Sequence, residues 1–305
     1  MIAVGFDTSN YTTSCAWFDG RQGENVSRLL DVRPGELGLR QSEALFSHVK
    51  RLPDLSDRLF AHIDPAQIQA IGVSTRPRAV EGSYMPCFLA GESQARVLAS
   101  ALHVPLYSFS HQQGHIAAVL WSAGRMDLLG KRFLTWHLSG GTTELLLVDT
   151  TQADIHCEKL GGTTDISAGQ LIDRTGQLLN LPFPSGKQID ALASAVEKGE
   201  FFRVKVNGFS FSLSGVENQV RAFRARGASD EETAYFALRS VLSAVVKATV
   251  NAQKEYPCPV VFSGGVASNT MLRQLTAPMG AIFGAPRFST DNAQGIAVLA
   301  YLKES

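Results

Sequence analysis

The chain of 305 residues is short of cysteine and has no excess of charge, and both shortages narrow what it can be. Its four cysteines, Cys15, Cys87, Cys157 and Cys258, lie far apart and form no CxxC pair. That excludes a disulfide framework and a zinc ribbon and suits a reducing compartment. Lys and Arg total 28 against 28 Asp and Glu, so the formal net charge is zero and no global basic field exists to grip nucleic acid or an anionic membrane. No uncharged apolar run approaches the ~20 residues needed to cross a bilayer, and the opening residues Met1-Ile2-Ala3-Val4 read as a strand rather than a basic leader. Low-complexity tracts and proline-rich linkers are also missing. With 45% apolar and 18% charged residues, the composition is that of a core-forming globular protein and excludes disorder. The expectation is a cytoplasmic protein with no membrane partner.

Glycine is plentiful, with 27 residues placed where apolar β-branched runs stop and helical patterns begin. Residues 2–6 read as an apolar strand ending in the polar turn Asp7-Thr8-Ser9-Asn10, with a return strand at 15–18. Helical spacing of Leu45, Phe46, Val49, Leu52 and Leu55 predicts a helix over 42–60. A strand at 68–73, a loop punctuated by Pro77 and Gly82, a helix over 88–102, a strand over 104–109 and a helix from His111 follow. The second half repeats this order. Strand 133–138 leads through the turn 139–143 to a return strand 144–148, and helices are expected near 170–179, 187–197, 216–226 and 231–255. Strand 259–262 then ends in Ser263-Gly264-Gly265, and a closing helix is expected over 291–303.

At roughly 150 residues per domain the length suits about two domains. The repeated order predicts a two-lobed α/β duplication of mixed sheets flanked by helices, with ligands beyond the carboxyl ends of the strands. The first lobe is expected over 1–128 and the second over 129–305, the latter with inserted helices over about 164–256. Coincidental similarity of two βαβ stretches is the alternative reading of the same pattern.

His111 and His115 stand four residues apart, one helical turn, so both rings project from the same face and can share a metal. A metalloprotease of this spacing needs Glu beside the first His, and Gln112 stands there, so the pair points to metal without proteolysis. Two surface histidines would show the same spacing. Asp291, after Ser289-Thr290, is a candidate third ligand, and an Asp there also serves as an N-cap. Ser139-Gly140-Gly141-Thr142-Thr143 offers backbone N–H groups that a phosphate can approach, although a β-hairpin turn favours Gly-Gly on its own. The loop Gly264-Gly265-Val266-Ala267-Ser268-Asn269, running from a buried strand into a helix, suits nucleotide phosphates or a tight βα turn. Neither loop is GxxxxGK[ST] or GxGxxG, which disfavours P-loop and Rossmann sites. Two such loops suggest one nucleotide held between lobes. Asp173 and Asp190, near Gly186, can accept hydrogen bonds from ribose or substrate hydroxyls, or are exposed helix-face carboxylates.

Together these residues resemble the tRNA N6-threonylcarbamoyladenosine transferase family, formerly called glycoproteases, of the actin/sugar-kinase/Hsp70 (ASKHA) superfamily. The resemblance spans nearly the whole chain. It is carried by Asp7-Thr8-Ser9, the His111/His115 pair, Ser139-Gly140-Gly141, and Ala168-Gly169 leading to Asp173. Pro184-Ser185-Gly186 with Asp190, Phe211-Ser212-Leu213-Ser214-Gly215, the loop 264–269 and Thr290-Asp291-Asn292-Ala293 complete it.

The resemblance implies a two-lobed actin-like ATPase fold with the active site in the interlobe cleft. It implies metal-dependent transfer of a threonylcarbamoyl group from threonylcarbamoyl-adenylate to N6 of adenosine 37 in ANN-decoding tRNA. His111, His115 and Asp291 would hold one divalent iron or zinc, and Asp7 would be catalytic. His137, Leu138, Ser139, Gly140, Gly141, Asp173, Gly186, Asp190, Gly264, Gly265 and Asn269 would be substrate- and nucleotide-binding, with ATP or the adenylate accompanied by magnesium. Expected partners are tRNA, met by a local patch of Arg76, Arg78, Arg221, Arg224 and Arg226, and in bacteria an actin-like paralogue subunit and a small ATPase, as a homo- or heterodimer. Scattered solvated arginines are the plain alternative to that patch. A carbamoyltransferase acting on another acceptor, or a noncatalytic partner or scaffold subunit, are the alternative functions. Departures from the family pattern are Asp7 and Asn10 in the usual Glu-Thr-Ser-Cys, Thr142 for His, Arg76-Pro77-Arg78 for glycine-proline-glycine, Gln170 for an acidic residue and Glu217 for Lys.

Overall fold

Two mixed sheets carry the fold, and in each the strand with an uninterrupted apolar run becomes central. The structure is a computed structural model that describes residues 1–9, 11–31, 39–151 and 154–305, so Asn10 of the first polar turn lies outside the described residues. The first sheet comprises β1 (Ile2–Asp7), β2 (Thr12–Phe18), β3 (Gly23–Leu29), β4 (Ile68–Arg76) and β5 (Leu106–Ser110), in the order β3-β2-β1-β4-β5. Helices α1 (Gln41–Phe60), α2 (Phe88–Leu102) and α3 (His111–Ser122) accompany it. The second sheet has β6 (Arg132–Leu138), β7 (Thr143–Thr150), β8 (Ile155–Thr163), β9 (Val206–Asn207), β10 (Ser210–Phe211), β11 (Val260–Ser263) and β12 (Ile282–Phe283). Its order is β12-β11-β6-β7-β8-β10-β9. Helices α4 (Ala168–Leu178), α5 (Gly186–Ser194), α6 (Ser214–Ala225), α7 (Asp230–Glu255) and α8 (Thr270–Thr276) follow in sequence, and α9 (Gln294–Glu304) closes the chain.

The duplication is explicit in the pairings. β1 pairs antiparallel with β2 and parallel with β4, and β4 pairs parallel with β5. β6 repeats this with β7 and β11, and β11 with β12. Among the described residues, α7 is the one helix long and apolar enough to cross a membrane, but 67% of its apolar window is buried, where it forms the core of the second sheet's helical layer.

The chain divides into a first unit of Met1–Gly130, Thr150–His156 and Thr290–Ser305, and a second of Lys131–Asp149 and Cys157–Ser289. The expected single boundary at 128/129 misses this return of the chain's end to its beginning. The reason is local packing: α9 lies directly on β1 and β4, where a Cβ on Gly5 would stand 2.5 Å from the Ala297 nitrogen and one on Gly72 2.9 Å from the Ala300 Cβ. Ala293, Ala297 and Val298 bury against Ala16 and Phe18. The closing helix also begins later than expected. Asn292 Oδ1 accepts from the Gln294 nitrogen at 3.1 Å, Ala293 occupies the cap position, and Asp291 lies three residues before the helix rather than capping it.

Candidate functional site

The polar end of β1 and the start of α3 meet because each is locally fixed. β1 is buried throughout and ends at Asp7, whose Oδ1 accepts the Ser9 nitrogen at 3.0 Å and whose carbonyl accepts Ser14 Oγ at 3.1 Å across the hairpin. Thr8 Oγ1 accepts from the Gly91 nitrogen at 3.1 Å and donates to the Cys87 carbonyl at 3.0 Å, which ties the turn to α2. At α3, Ser110 and Gln113 form a reciprocal capping box, with the Gln113 nitrogen on Ser110 Oγ at 3.2 Å and the Ser110 nitrogen on Gln113 Oε1 at 2.7 Å. The helix therefore starts at His111, and His115 falls one turn on.

The two imidazoles and Asp291 converge. His111 Nε2 and His115 Nε2 are 2.9 Å apart, and Asp291 Oδ1 is 3.5 Å from the first and 3.4 Å from the second. Donors bonded at about 2.1 Å to one ion stand about 3.0 to 3.4 Å from each other, so the triangle matches a shared metal. Two imidazoles with one carboxylate on one side of an ion leave coordination positions open. The outer contacts orient two of these three side chains. Asp7 Oδ2 lies 2.8 Å from His111 Nδ1, and Thr12 Oγ1 donates to Asp291 Oδ2 at 3.4 Å. The Asp7 and His115 side chains are almost wholly buried, at 1% and 3% exposed, while His111 and Asp291 form the accessible edge at 15% and 28%.

The electrostatics favour a cation at this point. Burial alone would lower the His111 pKa, but the Asp7 and Asp291 carboxylates override it and raise it to about 10. Burial and the neighbouring charged His111 push His115 down. Burial opposes ionisation of Asp291, yet hydrogen bonds from both histidines hold it well below the usual carboxylate range. Asp7 is lowered in the same way, its burial outweighed by the charge and hydrogen bond of His111. Without a metal, the two carboxylates thus keep a proton on His111.

The residues expected to bind substrate and nucleotide gather in the second unit. Ser139-Gly140-Gly141 is the turn of the β6–β7 hairpin, closed by the Ser139 nitrogen on the Thr142 carbonyl at 2.8 Å and the Thr142 nitrogen on Ser139 Oγ at 3.0 Å. A Cβ on Gly169 would stand 2.5 Å from the Ser139 carbonyl, so the start of α4 sits directly against this turn. Gly264, with φ of +90°, packs its backbone on the Leu138 carbonyl and brings the second glycine loop alongside. The Leu138 side chain is fully buried in the core, so only its backbone belongs to the site. His137, also buried, has Nδ1 3.3 Å from Ser263 Oγ. Among the described residues, a Cβ on Gly140, Gly141, Gly186 or Gly265 would meet nothing within 4 Å, which leaves those backbones open to a ligand.

Asp173 accepts the Ser185 nitrogen at 2.8 Å, just before Gly186 opens α5, and burial raises its pKa. Asp190 accepts Asn269 Nδ2 at 2.7 Å and Thr270 Oγ1 at 2.9 Å, while Asn269 Oδ1 accepts the Leu272 nitrogen at 2.9 Å as the N-cap of α8. A short 3₁₀ turn, Gly265–Ser268, separates β11 from α8, so the glycine loop does not pass straight into the helix as expected.

The structure gives the arginines and two of the departures from the family pattern local partners. The arginines on and just after α6 each face a carboxylate: Arg221 pairs with Glu217 at 2.9 Å, Arg224 with Asp230 at 2.6 Å, and Arg226 with Glu200 at 3.7 Å. Glu217 also binds Arg174 at 2.6 Å, so the residue in place of Lys pairs with two guanidinium groups. Gln170 completes a capping box with Ser167 at the start of α4, a task its amide performs without charge.

A sequence model described as tRNA N6-adenosine threonylcarbamoyltransferase matches residues 35–298. A protein of that name in Carboxydothermus hydrogenoformans is 32% identical over 98% of this chain and 91% of its own length. One in Archaeoglobus fulgidus, of the same name, is 26% identical over 99% of this chain and 91% of its own. Among solved structures, full-length HypF in a phosphate- and nucleotide-bound form superposes on 99% of this chain with a TM-score of 0.62 at 13% identity. This chain spans 46% of that HypF chain, and the likeness establishes the fold, the duplicated actin-like ATPase architecture.

Proposed function

Because the chain belongs to the tRNA N6-adenosine threonylcarbamoyltransferase family, we propose that it moves a threonylcarbamoyl group from threonylcarbamoyl-adenylate to N6 of adenosine 37 in ANN-decoding tRNA. The observation that carries this reading is the convergence of His111, His115 and Asp291, residues far apart in the chain, to a triangle of metal-ligand dimensions. These three residues would hold one divalent iron or zinc, which when bound polarises the carbamoyl carbonyl as a Lewis acid.

The protein's own groups prepare that site. Asp7, expected as a catalytic residue, acts here as a positioning carboxylate: it holds the proton of His111 on Nδ1 and turns the Nε2 lone pair outward. Asp291 divides its oxygens, one toward the histidines and one toward Thr12. The open backbones of Gly140, Gly141, Gly186 and Gly265 support binding of ATP or the adenylate, accompanied by magnesium, with Asp173 and Asp190 at the same unit's helix starts. Holding a nucleotide and an acceptor adenosine in reacting geometry supplies much of the rate. A scaffold subunit would have no use for a buried carboxylate that orients a metal-binding imidazole. The partners proposed are tRNA in the cytoplasm and, in a bacterium, an actin-like paralogue and a small ATPase.

The test is a transfer assay with metal-quantified protein, threonylcarbamoyl-adenylate and an ANN-decoding tRNA transcript, supplied with the partner subunits and read as the mass gain of one nucleoside. His111→Ala and Asp291→Ala should each abolish product. Full product in both variants, or none from the wild type, would overturn the reading.

A further inference from the structure

Helix α1 buries a stripe of residues at helical spacing, Ala44, His48, Leu52, Leu55 and Leu59. Four are apolar and one is histidine, with the small hydroxyl of Ser56 buried beside them. His48 is 0% exposed, and burial lowers its pKa to about 4 against the opposing influence of Asp7, the Ser9 backbone and Asp291. It is therefore a neutral hydrogen-bonding group where an apolar side chain would pack more cheaply.

Its contacts lead to the metal triangle from both arms of the β1–β2 hairpin. On the β2 arm, His48 Nδ1 lies 2.8 Å from Thr13 Oγ1, and the adjacent Thr12 hydroxyl donates to Asp291 Oδ2 at 3.4 Å. On the β1 arm, the ring sits beside the backbone of Ser9, whose nitrogen donates to Asp7 Oδ1 at 3.0 Å. Asp7 Oδ2 in turn holds His111 Nδ1. Among the described residues, His48 Nε2 and Ser9 Oγ are both buried without a short hydrogen bond, and the ring is packed against the polar turn that follows β1.

We propose that His48 is a positioning residue for the His111–His115–Asp291 centre, fixing the β1–β2 hairpin that orients His111 through Asp7 and Asp291 through Thr12. This rests on the reading that those three residues bind a metal. Residues that orient metal ligands from behind typically change affinity by about 10- to 100-fold when removed.

The experiment compares wild type with His48→Leu, which fills the stripe with an apolar side chain, and Thr13→Val, which removes only the hydroxyl. Zn²⁺ affinity is measured by chelator competition, the visible spectrum of the Co²⁺-loaded protein reports ligand geometry, and thermal melts of the metal-free proteins report folding. Expected are cooperative melts of both metal-free variants, with Thr13→Val somewhat below wild type because it strands His48 Nδ1, Zn²⁺ affinity at least about tenfold weaker, and altered Co²⁺ bands at saturating metal. Should His48→Leu fail to fold, Thr13→Val carries the same expectation. Folded variants with wild-type spectra and affinity within about twofold would overturn the proposal while leaving the metal site standing. A wild type that binds neither ion would overturn both.

Discussion

His111 is held between opposing influences, and its surroundings settle the outcome. A buried imidazole ordinarily sheds its proton, but two carboxylates at hydrogen-bonding range keep this one charged up to a pKa of about 10. Replacing Asp7 with Asn retains a hydrogen-bond acceptor and removes the charge. Metal affinity should fall by about 10- to 100-fold in chelator competition with the fold intact. His48 makes a different prediction. Its pKa in the folded protein, about 4, lies below the ordinary 6.5, so the unfolded chain binds the proton first. The stability it preserves is fully present above pH 6.5 and is lost as pH falls toward 4. His115, also lowered, acts in the same direction. His111, raised to about 10, contributes stability that is fully present only well below its ordinary 6.5 and is lost as pH rises towards 10, so its slope has the opposite sign and fades toward the acid end of the window. Urea midpoints measured across the window should fall less steeply for His48→Leu than for wild type. The His111/His115 pair was legible because one helical turn fixes the geometry of two rings. His48 was not, because a histidine inside an apolar stripe reads as one core position among five until its partners are seen.

Among the elements, most helices were legible to within a turn, since apolar spacing and capping chemistry are local. α2 runs over Phe88–Leu102, and Ser110 starts α3 at His111 as the pattern indicates. Strands at sheet margins were not. β3 is largely exposed and polar, GENVSRL, so it shows no run to recognise, and β9 and β10 have two residues each. The contact between α3 and α9 was equally hidden, because it depends on missing side chains. A Cβ on Gly295 would run into the Gly114 carbonyl and stand 2.7 Å from the Ala118 nitrogen, and one on Gly114 would stand 2.9 Å from Ile296 Cδ1. Gly114 lies between the two histidines, and Gly295 lies four residues after Asp291, so this close approach sets the distance across the metal triangle. Gly295→Ala should destabilise the protein by about 1–3 kcal/mol in urea titrations and weaken metal binding together. Ser110→Ala, which removes only the cap, should cost about 1 kcal/mol.

For the whole molecule, the twofold repetition of strand order was legible because each copy announces itself with the same polar and glycine turns. The return of residues 290–305 to the first unit was not, since nothing local marks a helix as belonging to strands made hundreds of residues earlier. The zero net charge also has a molecular-scale consequence for tRNA. Arg221, Arg224 and Arg226 each already face a carboxylate. Substituting all three with Ala should leave tRNA affinity within about threefold and the salt dependence of binding within about one unit of slope, whereas three phosphate contacts would remove about two to three units. The late return of α9 bears finally on synthesis. The strands of the first sheet and both histidines leave the ribosome early, but the helix that covers that sheet, and the aspartate that completes the triangle, emerge only after the second unit has been made. Until then the nascent first unit keeps an uncovered apolar face for a chaperone to hold, and a chain that stalls before residue 290 cannot bring Asp291 to His111 and His115.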